Sequence, residues 1–300
     1  MALWKGKTRG TPLGYKIFIF SLKYFGLSFA YFLLIFVSFY FFLFSKKSSK
    51  ALSFYFKNIH GFNSFKTIVS IYRNYLSFGR SLLDKTAALA GFTKSFTFEF
   101  EGEEHLHYMA SHDGGILISA HIGNFEMAGN MLDRVGNFIN IVMLDAEHEK
   151  IKELLGKVIT KKKVNIIPLK DDLSHLFKIN TAITNKEIIC IHGDRFLDSG
   201  RTIRLPFFGK EADFPAGPFH MALSYGTPIS FVFAMKEGRF HYHFYATPPK
   251  VYVLNHNRKD RKSEIREVVS DYISELEKKL KKYPLQWYNY YPFWESKSHE

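Results

Sequence analysis

The string Ile116–Glu126, ILISAHIGNFE, holds the residue types in this chain best suited to chemistry. An apolar run ends at His121, Gly123-Asn124 marks a turn, and Glu126 opens a helix-like stretch. An imidazole backed by a carboxylate can take a proton from an alcohol. The two groups lie five residues apart, about 500° of rotation on one continuous helix, where they would point apart. Across a strand–turn–helix junction they can meet. The same spacing recurs at His148 and Glu153, but there Ile151, Leu154, Leu155, Val158 and Ile159 follow helical periodicity. That second pair reads as a solvated helix face.

Other groups gather at similar places. His192-Gly193-Asp194-Arg195 follows a second apolar run, Glu187–Ile191. Asp194 reads as an acid that holds a loop, and Arg195 as a contact for a phosphate or a thioester donor; a structural turn with a local ion pair is the alternative. Arg201 and Arg204 stand beside the apolar loop Leu205–Lys210 and suit an anionic headgroup, with a plain solvated loop as the alternative. Gly123 and Asn124 are expected to touch substrate, and backbone amides near Gly123, with the following helix N-terminus, to favour a developing oxyanion. Ala222-x-Ser224-x-Gly226 resembles a nucleophile elbow. That elbow needs strand, turn, then helix, whereas Ser224 closes a helix and the strand comes after, so a serine esterase is the lesser reading. His220 is expected to pack. His105, His107, His241 and His243 lack further ligands at metal spacing, so no metal is expected.

Something must position these groups. Short β-like runs at Phe96–Glu101, Gly115–Ala120, Phe138–Leu144, Lys163–Leu169, Glu187–His192, Pro228–Met235 and Arg239–Ala246 alternate with helical patterns at Glu126–Arg134, Glu147–Thr160, Leu173–Thr184 and Ala216–Tyr225. The alternation predicts an α/β fold: a central, mostly parallel sheet flanked by helices and closed by antiparallel strands near its end. In such sheets chemistry collects where strands finish, and His121 is placed there. Residues 50–92 are helical in pattern and rich in aromatics. Ile265, Val268, Val269, Tyr272, Ile273, Leu276 and Leu280 form one apolar stripe of a docking helix over 260–282, which Pro284 ends. An aromatic tail, Gln286–Trp294, follows.

Tyr24–Phe44 runs 21 residues without a formal charge, enough to cross a ~30 Å hydrocarbon core as a helix. Lysines flank it on both sides, so charge leaves its orientation open, and an in-plane monotopic insertion is the alternative. The expected organisation is a basic tail over 1–14, a membrane anchor over 15–45 and a catalytic domain over 46–300, with its sheet core at about 94–250. A formal charge of +13 suits an anionic membrane surface, a phosphorylated substrate or an acidic protein partner. No zinc spacing, RNP-like signature or recognition-helix pattern points to nucleic acid. Cys190 is the only cysteine, so no disulfide framework is possible.

GGILISAHIGNFEMAG resembles the signature of the late acyltransferases of bacterial lipid A biosynthesis, a branch of the lysophospholipid acyltransferase superfamily. The anchor, the GDR step at 193–195, PFFG-x5-PAGP-x3-A over 206–222 and the closing P-x-Q-W agree, so the resemblance covers nearly the whole chain. It implies a glycerolipid acyltransferase-like fold in the bacterial inner membrane, with the catalytic domain facing the cytoplasm. It implies transfer of a fatty acyl group from acyl carrier protein to a hydroxyl of a lipid A precursor, with no cofactor beyond that thioester donor. His121 and Glu126 match the catalytic pair, and Asp194 matches the later acidic block. Another amphiphilic acceptor (an aminolipid, pigment precursor or lysophospholipid) stays open, as does a non-catalytic lipid-binding role. The Phe-Pro-Glu-Gly-Thr-like block of glycerolipid acyltransferases does not occur here.

Overall fold

The computed structural model describes residues 12–89, 91, 95–124, 127, 135–144, 164–169, 174–196, 200–252 and 261–295. Glu126 and the helical patterns expected at 126–134 and 147–160 lie outside them, apart from Met127.

A long aromatic stretch must enter lipid or hide from water, and the first helix does some of each. Helix α1 (Pro12–Phe44) bends at Gly26, whose φ of 77° is not helical. Within it, Phe20–Phe44 is long and apolar enough to cross a membrane. Phe25, Phe32, Phe36, Phe39, Tyr40 and Phe44 are each more than half exposed, as expected for a lipid-facing surface. The opposite face, Ala30, Tyr31 and Leu34, packs on Leu83 of helix α3 (Ser64–Leu89). Between them runs helix α2 (Lys46–Phe54), which passes into a single π-helical turn at Tyr55–Ile59.

Seven strands form the main sheet: β1 (Thr97–Glu101), β2 (Gly115–Ser119), β3 (Ile139–Leu144), β4 (Val164–Leu169), β5 (Ile188–His192), β8 (Ile229–Lys236) and β9 (His241–Ala246). Their order is β1-β9-β8-β2-β5-β3-β4. Every pairing is parallel except β8–β9, which closes the sheet as the alternation predicted. Strand β2 is buried along its whole length, the expected state of a central parallel strand covered on both faces.

The segment after Arg201 is not the solvated loop its composition suggests. Strands β6 (Thr202–Phe207) and β7 (Lys210–Pro215) form a separate antiparallel hairpin. Its turn puts Phe208 and Gly209 at φ values of 51° and 71°, the left-handed region that two-residue hairpins use. Four helices complete the described fold: α4 (Glu103–Ser111), α5 (Ser174–Thr184), α6 (Gly217–Tyr225) and α7 (Arg261–Lys282). The predicted stripe of α7 is buried, with Val268, Val269, Tyr272, Leu276 and Leu280 fully withdrawn from water. Tyr272 packs against Phe214, Phe219 and Phe231 and donates its hydroxyl to the Ser119 carbonyl at the end of β2.

Candidate active site

Strands β2 and β5 are neighbours, paired through Ser119 and His192, so whatever follows each strand lies side by side at one sheet edge. His121 follows β2, and Asp194 follows β5. Their side chains meet: His121 Nδ1 lies 2.7 Å from Asp194 Oδ1, and the His121 amide donates to Asp194 Oδ2 at 2.9 Å. One carboxylate thus grips the residue at both ring and backbone. Asn289 Nδ2 donates to the same Oδ2 at 2.9 Å, and Asp194 is fully buried.

Burial alone would raise the pKa of Asp194. The adjacent His121 ring and its hydrogen bond, with Arg195 beyond, instead hold the carboxyl well below the ordinary range. An ionised carboxylate only accepts hydrogen bonds, so Nδ1 carries a ring proton, and in the neutral imidazole the lone pair is then on Nε2. His192 stacks edge-on at 4.3 Å from the His121 ring. Burial first, then His121, hold His192 well below its usual pKa, so it stays neutral.

The turn is held with little slack. Gly123 has a φ of +61°, and a Cβ there would stand 2.0 Å from the Ala234 carbonyl oxygen. Gly193 is confined less tightly: a Cβ would meet the Ile118 and Phe219 side chains at 2.9 Å. The Gly123 amide donates to the Gln286 carbonyl at 2.8 Å, and the Asn124 amide to the Ala234 carbonyl at 2.7 Å. These amides are therefore committed to the protein, which corrects the expectation that those near Gly123 receive an oxyanion. Asn124 is likewise internal rather than substrate-facing. Its Nδ2 donates to the Ser81 carbonyl and to the Tyr242 hydroxyl, and its Oδ1 accepts from the Met127 amide.

The aromatic tail is the clamp. Ile122 and Trp287 form a β-bridge, and the Tyr288 amide donates to the His121 carbonyl at 2.9 Å. Arg195 braces this clamp: its Nε donates to Asn289 Oδ1 and its Nη2 to the Tyr288 carbonyl, both at 2.8 Å. These contacts place Arg195 behind the His121–Asp194 pair, where the sequence suggested a ligand contact. Asn289, which no sequence pattern marks, and His192, given no role by the sequence, both adjoin the pair.

The other candidates are elsewhere. Arg204 lies on β6, and its guanidinium faces Glu211 at 3.8 Å and Asp213 at 3.9 Å across the hairpin. Arg201 is exposed just before that strand. His220 is exposed rather than packed, and its Nδ1 lies 3.2 Å from Ser224 Oγ on the same helix. Among the described residues no carboxylate pairs with His220, and Ser224 sits in the last turn of α6 rather than on an elbow. The ligand atoms of Glu99, Glu237 and His241 lie within 4.8 Å of one another. They form a surface cluster in which Glu237 already accepts from Tyr283 and Lys282.

A family model described as bacterial lipid A biosynthesis acyltransferase matches residues 11–295. Among solved structures, the chain is similar to the 1-acyl-sn-glycerophosphate (LPA) acyltransferase PlsC from Thermotoga maritima. That alignment has 14% identity and a TM-score of 0.36, over 76% of this chain and 97% of the other. Among curated proteins none matches.

Proposed function

The chain belongs to the bacterial lipid A biosynthesis acyltransferase family, and from that premise we propose that it moves a fatty acyl group from acyl carrier protein to a hydroxyl of a lipid A precursor. The observation that carries the mechanism is the short contact between His121 Nδ1 and the buried, ionised Asp194. With Nδ1 protonated, Nε2 takes the proton of the acceptor hydroxyl. The acceptor oxygen forms a bond to the thioester carbonyl carbon, and the carbonyl electrons move to its oxygen. As they return, the carbon–sulfur bond breaks, and the imidazolium delivers its proton to the departing thiolate. Positioned general-base assistance of this kind contributes about 10²–10⁴-fold.

Asp194 is assigned the orienting role at Nδ1. Glu126, the carboxylate expected from the sequence to back His121, is assigned the stabilisation of the imidazolium while it exists. The anchor helix would hold the reaction at the inner membrane, with the catalytic domain on the cytoplasmic side where the acidic carrier protein is found. The excess positive charge supports that docking. Arg201 and Arg204, both exposed, are assigned to the acidic carrier or an anionic headgroup.

The test is mass spectrometry of total lipid from cells with the gene deleted, complemented by wild type or by His121→Ala. Wild type is expected to restore one acyl chain on the acceptor glycolipid, and His121→Ala to leave it missing at normal protein abundance. Full restoration by His121→Ala would refute the mechanism.

A further inference from the structure

Between α1 and α3, away from the dyad, lies a cavity of about 670 Å³. One wall is the α1 stripe Ser28, Tyr31, Phe32 and Ile35; the other is the α3 stripe Arg73, Ser77 and Arg80. The turn leaving β8, Lys236–Arg239, closes one end. The α1 wall belongs to the stretch able to span a membrane, so four cationic side chains face a helix built for lipid.

The acids nearby do not balance them. Asp84 is fully buried and neutralised by Lys236 Nζ at 2.6 Å, with the Tyr31 and Tyr242 hydroxyls on the same carboxylate. Glu237 is occupied by Tyr283 and Lys282. Arg73, Arg80 and Arg239 have no ion-pair partner among the described residues. Arg80 Nε is buried and has no hydrogen-bond partner, although its guanidinium lies 5.6 Å from the Tyr31 ring centroid. A buried guanidinium N–H left unsatisfied is costly, and an anion is what relieves it. Guanidinium groups match the oxygens of a phosphate with paired hydrogen bonds. Phe32 and Ile35 offer an apolar wall alongside, so a ligand with a phosphate at one end and hydrocarbon at the other fits both surfaces. Basic pockets between membrane helices are suited to such headgroups.

We propose that this cavity binds the phosphate group of a membrane lipid, with Arg80, whose Nε is buried, as its inner ligand and the exposed Arg73 and Arg239 at its mouth. The phosphate has two possible sources, a bilayer phospholipid or a phosphorylated glycolipid acceptor. Binding at this site is independent of acyl transfer and is read without turnover.

The experiment is calorimetric titration of the full chain in neutral detergent. The probes are short-chain phosphatidic acid, its diacylglycerol counterpart, and a phosphorylated disaccharide glycolipid with its dephosphorylated form. A phosphate-bearing probe is expected to bind while its counterpart does not. Arg80→Gln is expected to weaken that binding about tenfold or more, the scale of one lost charge-assisted bond, and Arg80→Lys to recover part of it. Arg239→Gln, on an exposed turn, gives a second variant if Arg80→Gln fails to fold. His121→Ala is expected to bind as wild type does, which separates failure of this site from failure of the proposed reaction. Binding of phosphatidic acid alone assigns the bilayer source, and displacement of it by the phosphorylated glycolipid assigns the acceptor. Equal binding of the phosphorylated and dephosphorylated members of both pairs, or wild-type affinity in both arginine variants, would overturn the proposal.

Discussion

Among the described residues two aspartates are fully buried, and each is held by a cationic or potentially cationic partner. Asp194 faces His121, and Asp84 faces Lys236. Around Asp84, two tyrosine hydroxyls and an ammonium seal the carboxylate and join α1, α3, β8 and β9. The Lys236 side chain is 8% exposed; burial lowers its pKa and Asp84 pulls it back up. These contacts tie four elements together through one carboxylate, and the unit is a fastening. Around Asp194 the partner is an imidazole, the side-chain type that can both take up and give back a proton under mild conditions. Equal burial of an acid gives a fastening in one place and, in the proposed mechanism, an oriented base in the other, because the partners differ in kind. Asn124 joins the two regions by donating to Tyr242, itself bonded to Asp84.

That comparison can be broken at either end. Asp84→Asn leaves the Lys236 ammonium buried without its counter-charge, and breaking a buried pair this way costs about 3–5 kcal/mol. The loss is expected in chemical denaturation of the detergent-solubilised protein. The double variant Asp84→Leu with Lys236→Met should recover much of it, because no lone charge is then stranded. A double variant as unstable as Asp84→Asn would mean that the tyrosine bonds, not the ion pair, carry the fastening.

At the other end, Asn289→Ala removes one hydrogen bond to the ionised Asp194 and one from Arg195. Bonds to charged groups contribute about 1.5–3 kcal/mol, so the melting temperature should fall by several degrees, and the acyl-transfer rate per folded molecule by about tenfold. A rate within twofold of wild type would show that Asp194 is positioned without the tail.

The smallest effect concerns pH. Burial, with Lys66 nearby, lowers the His60 pKa to about 4, and burial lowers that of His192 as well. In the unfolded chain both titrate near 6.5. Between about pH 6.5 and 4 the unfolded state binds protons that the folded state refuses, so stability falls as pH drops through that window. Thermal unfolding at pH 7 and pH 5 should show a lower midpoint at pH 5, and His60→Phe should narrow the difference. An unchanged difference in that variant would remove His60 from the account.

Much of this fold is legible in the chain because its periodicities are local. Each main-sheet strand falls within two residues of its expected run, since β-branched and aromatic runs bounded by turn residues leave little choice. The β6–β7 hairpin is hidden because its turn is Phe208-Gly209 rather than Asn-Gly, and Pro206 interrupts the first strand. Helix α4 is hidden because it is short and starts after a left-handed Gly102 rather than a capping side chain. His121 is legible from its place at a strand end. Its contact with Asp194, 73 residues away, depends on β2 and β5 lying side by side. Asn289 reaches the same carboxylate from 95 residues away, and no local pattern marks it. The commitment of the Gly123 amide to Gln286 is invisible for the same reason.

The central claim is that His121 and Asp194 act as one unit in acyl transfer. A double-mutant cycle with Asp194→Asn, His121→Ala and the two combined, read as acyl transfer per folded molecule, tests it most directly. Residues that act as a unit are strongly non-additive. Asp194→Asn alone should lower the rate on the order of 10³-fold, and adding it to His121→Ala should lower the rate no further. Losses that multiply in the double variant would contradict the account.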